Sequence, residues 1–264
     1  MEQYKFGQAV NQGIVNGILK GYKRYTSERA DKYESMKISD AYAWVKGNHI
    51  DDQTANECSE LGIEYRKAKA GYTWGYLQFS CQEDRSMFII KNAKYFNPEN
   101  VPSGKGIKGN KKINNNNNEH YLKKLAKINE KVQFPESESL FTIDNEYKDY
   151  ILSIFDDNVL KALENNDVSN LQQMYEKFYI VTYEIDEAHM ISSIKVWMPN
   201  PINDKAVLVD DLSSLIGNSL VDFADIDFSY TENDDVEYDY ESVNHTDFEI
   251  DIAHIDKKTS GSES

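Results

Sequence analysis

Cysteine is scarce in this sequence, since Cys58 and Cys81 are the only two. Two cysteines are too few for a disulfide framework, and neither has the Cys/His spacing of a zinc site, so we expect reduced, buried thiols. Long apolar runs are also missing, because no stretch reaches the roughly 18 residues that a membrane span needs. The first residues, "MEQYKFGQAVNQGIVNGILKGYKRY", are too polar for a secretion signal. We therefore predict a cytoplasmic protein without a membrane partner.

Patterns that carry catalytic chemistry are missing as well. The five histidines show no metal spacing, and no serine or cysteine lies in a nucleophile elbow. The stretch "SGKGIKGNKK" resembles a phosphate-binding loop but lacks the Gly-Lys-Ser/Thr ending. A metal-dependent nuclease could use Glu57, Glu60 and Glu64 with Lys67 or Lys69, although this spacing describes a solvated helix face more simply. The sequence predicts no enzyme, no metal and no cofactor.

Positive charge is in deficit, and it is unevenly placed. The chain has 29 Lys and Arg against 45 Asp and Glu, a net charge of -16. Thirteen of the acids fall between Asp222 and Asp256, where there is no Lys or Arg. Residues 105–131 have the opposite balance, with eight lysines against Glu119 and Glu130. The protein is therefore strongly bipolar along its sequence.

An apolar period of four residues opens the chain and predicts a packed N-terminal helix. Its apolar face is formed by Phe6, Val10, Ile14, Ile18 and Tyr22. Gly13, Gly17 and Gly21 form a second stripe, which would let another backbone approach closely. Further helices are predicted from about Ser27, over Asp40–Val45, and from Asp52 to Leu61, where Gly62 stops the last one.

Short aromatic and β-branched runs then predict antiparallel strands. "IEYRKAKA", "YTWGYLQFS" and "SMFIIKN" form a meander, and "YIVTYEID" with "HMISSIKVWMP" forms a later hairpin. Between them we predict a basic helix, "EHYLKKLAKINEKV", with Leu122, Leu125 and Ile128 facing inward. The predicted fold class is α+β, with N-terminal helices, a central antiparallel sheet and an acidic β-rich C-terminal segment. The predicted units are residues 1–96, a mobile basic and Asn-rich linker at 97–118, residues 119–217, and the acidic segment 218–264.

Two of these stretches carry a resemblance to a known group of proteins. "GYTWGYLQFSCQEDRSMFIIKNAKYF" and "FYIVTYEIDEAHMISSIKVWMPNP" resemble a poorly characterised family of bacterial and phage proteins of unknown function. That family has a Gly-Tyr/Arg-x-Trp strand pair before a distal hairpin of the form apolar-Thr-x-Glu-x-Asp. The resemblance covers about residues 40–216 and implies a phage or prophage setting, hence a bacterial host cell. It brings no catalytic residues with it.

The acidic segment lies outside the resemblance and alternates acids with apolar residues. In a β-strand, residues i and i+2 lie on one face, so three hairpin-connected strands, the first over residues 225–230, would present a grid of carboxylates. Such a grid can occupy a basic DNA-binding groove by the electrostatics that duplex DNA uses. The predicted partner-binding residues are Asp225, Asp227, Asp235, Glu237, Asp239, Glu241, Asp247, Glu249 and Asp251.

Other interpretations of this segment stay open. Acids alternating with hydrophobic residues also describe a solubilising face or a disordered acidic tail. Asp225-x-Asp227-x-Ser229 resembles the start of a calcium loop, but Tyr230 stands where the turn needs glycine and Val236 replaces the bidentate glutamate.

The sequence as a whole favours a binding protein over an enzyme. We predict a phage-derived inhibitor of a host defence or nucleic-acid-acting protein, with a basic protein as partner and no nucleic acid as direct ligand. The alternative is a nucleic-acid-binding or nuclease-like protein that uses the basic segment 105–131. Its phosphate-binding candidates are Lys105, Lys108, Lys111 and Lys112. The two charged segments can also pair with each other, and pairing between subunits would give a homo-oligomer.

Overall fold

The structure is a computed structural model that describes residues 1–70, 74–103, 121–135 and 171–231. Its helices and strands follow the order that the sequence predicts. The α-helices with both ends in the described residues are α1 (Gln8–Ser35), α2 (Lys46–Cys58) and α3 (Tyr121–Ala126). The strands are β1 (Ile63–Ala70), β2 (Trp74–Cys81), β3 (Ser86–Asn92), β4 (Lys177–Ile185), β5 (Ile191–Pro199) and β6 (Ala206–Asp211).

The six strands form one sheet in sequence order, β1 to β6. Every neighbouring pair is antiparallel except β3 and β4, which run parallel with Met87 opposite Phe178. A parallel pair needs a long crossover, and residues 93–176 supply it. The predicted α+β class is confirmed, with N-terminal helices and a central sheet that is antiparallel, as predicted, at every pair except β3 and β4. The meander and the later hairpin therefore belong to one sheet.

Helix α1 is longer than predicted, because the helix expected from Ser27 continues the first one without a break. The predicted apolar face is buried at Ile14, Ile18 and Tyr22, which are at most 1% exposed, and partly buried at Val10, whereas Phe6 lies before the helix begins. The glycine stripe meets α2 directly: a Cβ built on Gly17 would lie 2.4 Å from the Thr54 Cα, and one on Gly21 would lie 2.4 Å from the Ile50 Cα. The predicted close approach of a second backbone is confirmed.

The predicted helix over Asp40–Val45 is present as a 3-10 helix with those bounds. Helix α2 begins directly after it, six residues before the predicted start at Asp52, and a 3-10 turn at Ser59–Leu61 comes next. Gly62 adopts φ +74 there, a left-handed conformation that favours glycine and turns the chain into β1. The predicted stop at Gly62 is confirmed.

Hydrophobic side chains fill both sides of the sheet. Helices α1 and α2 cover one face through a core that includes Phe79, Phe88 and Tyr179. The crossover covers the other face, where Leu122, Leu125 and Ile128 of α3 and the turn after it pack against residues such as Met87 and Ile180. The inward positions predicted for the basic helix are confirmed, each being at most 5% exposed. Among the described residues, no helix combines the length and the apolar character that a membrane crossing requires.

Residues 97–103, the first part of the predicted linker, pack into this second layer. Val101 is 2% exposed, its amide donates to the Asp204 carbonyl at 2.8 Å, and the Pro98 carbonyl accepts from the Ala206 amide at 2.7 Å. These bonds hold the start of the crossover beside β6. Residues 104–118 of the predicted linker lie outside the described residues.

Asp51 of α2 joins the helical layer to β2 at the point where β2 leaves β3. Strand β2 pairs with β1 along its whole length but with β3 only over Phe79–Cys81. Past that point the Leu77 amide donates to Asp51 Oδ2 at 2.8 Å. Burial raises the pKa of the Asp51 carboxyl to about 7, and the bond from Leu77 offsets only part of that rise.

We expect Asp51→Asn to remove a pH dependence of stability. The folded protein holds this proton up to about pH 7, whereas the unfolded chain releases it near 3.8, so the stability linked to Asp51 falls as pH rises between those values. Asparagine still accepts from Leu77 but carries no charge. Urea unfolding of both proteins should show the stability of the variant rising relative to that of wild type by about 1.4 kcal/mol for each pH unit between about pH 4 and pH 7. A difference that stays constant with pH would contradict this assignment.

Candidate functional site

The acidic segment begins on the surface of α1, where residues 219–231 form what we call the anchor segment. Phe223 and Phe228 pack against the core below α1, and their ring centroids lie 6.1 and 6.3 Å from that of Tyr22. Phe228 also stacks on the ring of His189 at 6.4 Å. The anchor segment is thus held by aromatic contacts to one helix and to the turn between β4 and β5.

His189, in the turn between β4 and β5, is the residue that contacts Phe228 from that turn. It adopts φ 59, a left-handed conformation, and its carbonyl accepts from the Tyr22 hydroxyl at 2.7 Å. The His189 Nδ1 lies 3.4 Å from the Thr231 hydroxyl, which also donates to the Phe228 carbonyl at 2.8 Å. The β4–β5 turn and the end of the anchor segment are therefore fixed to each other and to α1.

Polar contacts to α1 complete the attachment. Lys23 Nζ donates to the Asp222 carbonyl, and the Tyr230 hydroxyl donates to Glu34 Oε1 at 3.2 Å. The Tyr230 ring lies 5.0 Å from that of Tyr33. These contacts extend from the middle of α1 to its last turns, so Thr231, the last described residue, lies near the C-terminal end of α1.

Asp225 and Asp227 are the predicted partner-binding residues that the structure describes, and both are exposed. The predicted strand over residues 225–230 is wrong: the chain forms a turn and then a 3-10 helix at Ser229–Thr231. The Asp227 carboxylate accepts from the Ser229 amide at 2.9 Å, which holds the pKa of this carboxyl below its usual range. A carboxylate that binds the amide two residues ahead favours a turn over an extended strand.

The predicted alternation of burial survives this change of backbone. Ile226, Phe228 and Tyr230 are partly buried, while Asp225 and Asp227 face solvent. The segment therefore presents its acids outward, as predicted, from turns and not from a sheet. The remaining predicted residues, Asp235, Glu237, Asp239, Glu241, Asp247, Glu249 and Asp251, lie outside the described residues.

The balance of acidic and basic residues differs sharply between the described residues and residues 232–264. The described ranges hold 21 Lys and Arg against 24 Asp and Glu, close to balance. Residues 232–264 hold eleven Asp and Glu against two lysines. The acidic charge is thus concentrated in the sequence that continues from the anchor segment.

The basic segment meets the fold on the other face of the sheet. Its described lysines lie in α3 and in the 3-10 turn that follows it. One of them, Lys123, forms an ion pair with Asp204 at 2.9 Å. Helix α3 belongs to the layer opposite α1. The described ends of the two charged segments therefore lie on opposite faces of the sheet. Lys105, Lys108, Lys111 and Lys112 lie outside the described residues.

The described part of the chain contains no cluster of metal-binding side chains that would support the nuclease alternative. Glu57 is paired with Lys20 at 2.6 Å, and the described residues bring no three His, Cys, Asp or Glu side chains together in a metal-binding group. Cys58 is fully buried, and burial raises the pKa of its thiol to about 12, so it is a poor nucleophile at neutral pH. These side chains serve the packing of α1 against α2.

Sequence reasoning missed Phe223, His189 and Lys23 as the residues that hold the anchor segment. Phe223 and Phe228 are five residues apart, a spacing that places two side chains on one face of neither a strand nor a helix. This spacing could have indicated an irregular segment with two hydrophobic contacts. His189 and Lys23 had no local signal, because their roles depend on contacts with residues that lie 42 and 199 positions away.

We expect Phe228→Ala to release the anchor segment from α1. The ring is partly buried against Tyr22, Phe223 and His189, so its loss should destabilise the protein by about 1 to 2 kcal/mol. Hydrogen exchange at the amides of Ser229 and Thr231 should accelerate, while exchange in α1 stays slow. Leu220→Ala is the matched control, because Leu220 is 100% exposed. Equal exchange in the two variants would contradict the anchoring role.

Comparisons with known proteins identify no relative for this chain. No family model, no curated protein and no solved structure matches it. The resemblance to bacterial and phage proteins therefore stays a prediction.

Proposed function

We propose that this protein binds a basic partner protein through its acidic C-terminal segment, whose first residues, 219–231, pack beside α1. The partner class is a nucleic-acid-binding or defence protein of a bacterial host, whose basic groove accepts the carboxylates in place of DNA phosphates. The protein would act as an inhibitor of phage origin. It would need no catalytic centre for this role.

The observation that carries the proposal is the anchor segment. A purely solubilising tail needs no fixed exit, yet the chain before Thr231 is secured by two phenylalanines, a tyrosine and a histidine. Attachment of residues 219–231 to the fold lowers the entropy cost of binding a partner, because one end of the acidic segment is already held in place. An anchored acidic segment is therefore better suited to a specific partner than to solubility alone.

The charge pattern supports the same proposal. The described fold is near neutral, so the electrostatic field that steers a basic partner comes from the segment after Thr231 and from exposed acids before it, such as Asp225 and Asp227. The described part of the basic segment is on the opposite face of the sheet. A partner at the exit of the acidic segment therefore does not meet those lysines.

The experiment is capture from a bacterial lysate with a variant that keeps the chain intact. Glu237→Gln, Asp239→Asn and Glu241→Gln together remove three charges from the acidic segment. Wild type should capture a basic protein at low salt, release it at high salt, and lose it to added duplex DNA. The triple variant should capture little of it, because the charges that oppose the groove are gone.

A matched control removes the same charge elsewhere. Glu60, Glu83 and Glu130 are exposed in the described fold, and their replacement by glutamine changes the net charge equally. This control variant should capture the partner as wild type does. If both triple variants lose the partner to the same degree, only net charge matters and the proposed role of the acidic segment is wrong. Capture that DNA cannot displace would contradict a DNA-like binding mode.

A further inference from the structure

Exposed apolar side chains gather at the C-terminal end of α1, and we call Tyr33, Met36 and Ile38 the apolar patch. Tyr33 is 56% exposed, Met36 44% and Ile38 79%. The other large apolar side chains that the described residues expose are Tyr65, Met174, Ile202, Leu208 and Leu220. No other stretch of six residues in the described chain exposes as many. Single exposed apolar residues are ordinary on a protein surface, whereas a cluster of them marks a contact surface.

The geometry of the last helical turn places two members of the patch together. The Met36 amide donates to the Lys32 carbonyl at 3.0 Å, so the turn of α1 runs on to Met36. Residues three apart on a helix are neighbours on its surface, and Tyr33 and Met36 are therefore adjacent. Ile38 follows two residues later and is the most exposed of the three.

The anchor segment already reaches one side of the apolar patch. The Tyr230 ring lies 5.0 Å from that of Tyr33, and the Tyr230 hydroxyl donates to Glu34 Oε1 at 3.2 Å. Thr231 is the next residue and the last that the structure describes. Residues 232–264 therefore continue from a point beside the patch.

The sequence after Thr231 carries an apolar residue at every second position of the stretch "DVEYDYE", residues 235–241. These apolar residues are Val236, Tyr238 and Tyr240. Val236 comes five positions after Thr231, and an extended chain advances about 3.3 Å per residue, so these five positions span up to about 16 Å. The patch lies within that reach, because the residue before Thr231 already contacts it.

The charge within the patch favours an acidic segment as its occupant. Lys37 comes between Met36 and Ile38, is exposed, and forms no ion pair with the residues that the structure describes. A basic partner would meet this lysine as a like charge, whereas the acids of residues 235–241 would meet an opposite one. Exposed ion pairs stabilise only weakly, so Lys37 selects the sign of the occupant and the apolar contacts hold it.

We propose that residues 235–241 pack their apolar side chains on the apolar patch of the same chain. This packing removes apolar surface of both from water, which is its driving force. Acids and apolar residues alternate in an extended stretch, so the carboxylates then face away from α1. They belong to Asp235, Glu237, Asp239 and Glu241. The proposed function gives this arrangement its purpose, the presentation of carboxylates to a partner, and in that respect the inference rests on it.

Oxidation of methionine by hydrogen peroxide tests this packing in the full chain, without a partner. Met36 and Met174 are 44% and 45% exposed in the described fold, so Met174 serves as the internal reference, and peptide mass spectrometry measures both rates. The test variant carries Val236→Ser, Tyr238→Ser and Tyr240→Ser. Its Met36 should oxidise about threefold faster or more than that of wild type, because the covering side chains are gone. Met174 should oxidise at the same rate in both proteins.

The matched control changes the same stretch but keeps its apolar side chains. It carries Glu237→Gln, Asp239→Asn and Glu241→Gln, and its Met36 should oxidise as slowly as that of wild type. The two proposals can therefore fail separately. If Met36 is protected and no basic partner is captured, the proposed function alone is wrong.

Three results would overturn the packing. One is equal oxidation of Met36 in wild type and in the serine variant. Another is protection of Met36 that falls when wild type is diluted, which assigns the patch to a second copy of the chain. The third is an equal loss of protection in the control variant, which assigns the contact to charge and not to apolar packing.

Discussion

Gly21→Ala is expected to destabilise the protein by about 3 kcal/mol. A Cβ at position 21 would lie 2.4 Å from the Ile50 Cα, 2.6 Å from the His49 carbonyl oxygen and 2.8 Å from the Ile50 amide nitrogen. All three are backbone atoms of α2, so the helices must move apart to accept a methyl group. Alanine would otherwise favour a helix interior by up to about 1 kcal/mol, so a loss of stability can come only from the packing.

Urea unfolding of wild type and variant measures this loss. Gly217→Ala is the control, because a Cβ at position 217 meets nothing within 4 Å. It should leave stability almost unchanged. If Gly21→Ala were as stable as wild type, the close approach of α1 to α2 would be wrong, and with it the surface on which the anchor segment rests.

Asn129→Ala is expected to destabilise the protein by about 3 to 5 kcal/mol, because it leaves several buried backbone groups unpaired. The Asn129 amide nitrogen donates to the carbonyls of Phe178 and Pro199, both at 2.9 Å, and its oxygen accepts from the Phe178 amide at 2.7 Å. Asn129 is 0% exposed, so water cannot replace these bonds without opening the core.

The β4–β5 ladder explains why an asparagine is needed there. Ile180 pairs with Trp197, so in the same register Phe178 would lie opposite Pro199, two positions further along the ladder. Proline has no N–H to offer to the Phe178 carbonyl. The side chain of Asn129 supplies that donor and ties the crossover layer to the sheet at the same place.

Denaturant unfolding measures the effect of Asn129→Ala, and Asn203→Ala is its control. Asn203 also accepts from a backbone amide, that of Lys205 at 3.1 Å, but it is exposed. Its replacement should change stability by no more than about 1 kcal/mol, because water replaces the lost partner. Equal losses in the two variants would contradict the bridging role of Asn129.

Local pattern was enough to predict most of the helices and strands of this fold. The four-residue period of Ile14, Ile18 and Tyr22 predicted α1, and the glycines between them predicted a close neighbour. Alternating aromatic and β-branched residues predicted the meander and the hairpin. These properties depend on residues near each other in sequence, where helix and strand periodicity are visible.

The arrangement of the strands could not be predicted in the same way. Whether β3 pairs with β4, and in which direction, depends on contacts between residues about ninety positions apart. The role of Asn129 depends on Pro199 in a different strand, and the place of the anchor segment depends on Tyr230 meeting Tyr33. None of these pairs leaves a local pattern, so only the folded chain reveals them.

For the first residues of the acidic segment, the sequence predicted which side chains are exposed but not the backbone that exposes them. Alternation correctly predicted that Asp225 and Asp227 face solvent while Phe228 faces the protein. It failed on the strand, because the Asp227 carboxylate binds the Ser229 amide and forms a turn. Alternating burial over a few residues is thus compatible with an irregular segment packed on the protein surface as well as with a strand.

We propose that the acidic segment occupies a partner's DNA-binding groove. Its most direct test is competition between this protein and duplex DNA for the purified partner obtained by capture, with the affinity of each measured over a range of salt concentrations. We expect mutually exclusive binding, an affinity that falls as salt rises, and a large loss of affinity for the Glu237→Gln, Asp239→Asn and Glu241→Gln variant. Simultaneous binding of DNA and this protein to the partner, or unchanged affinity of that variant, would contradict it.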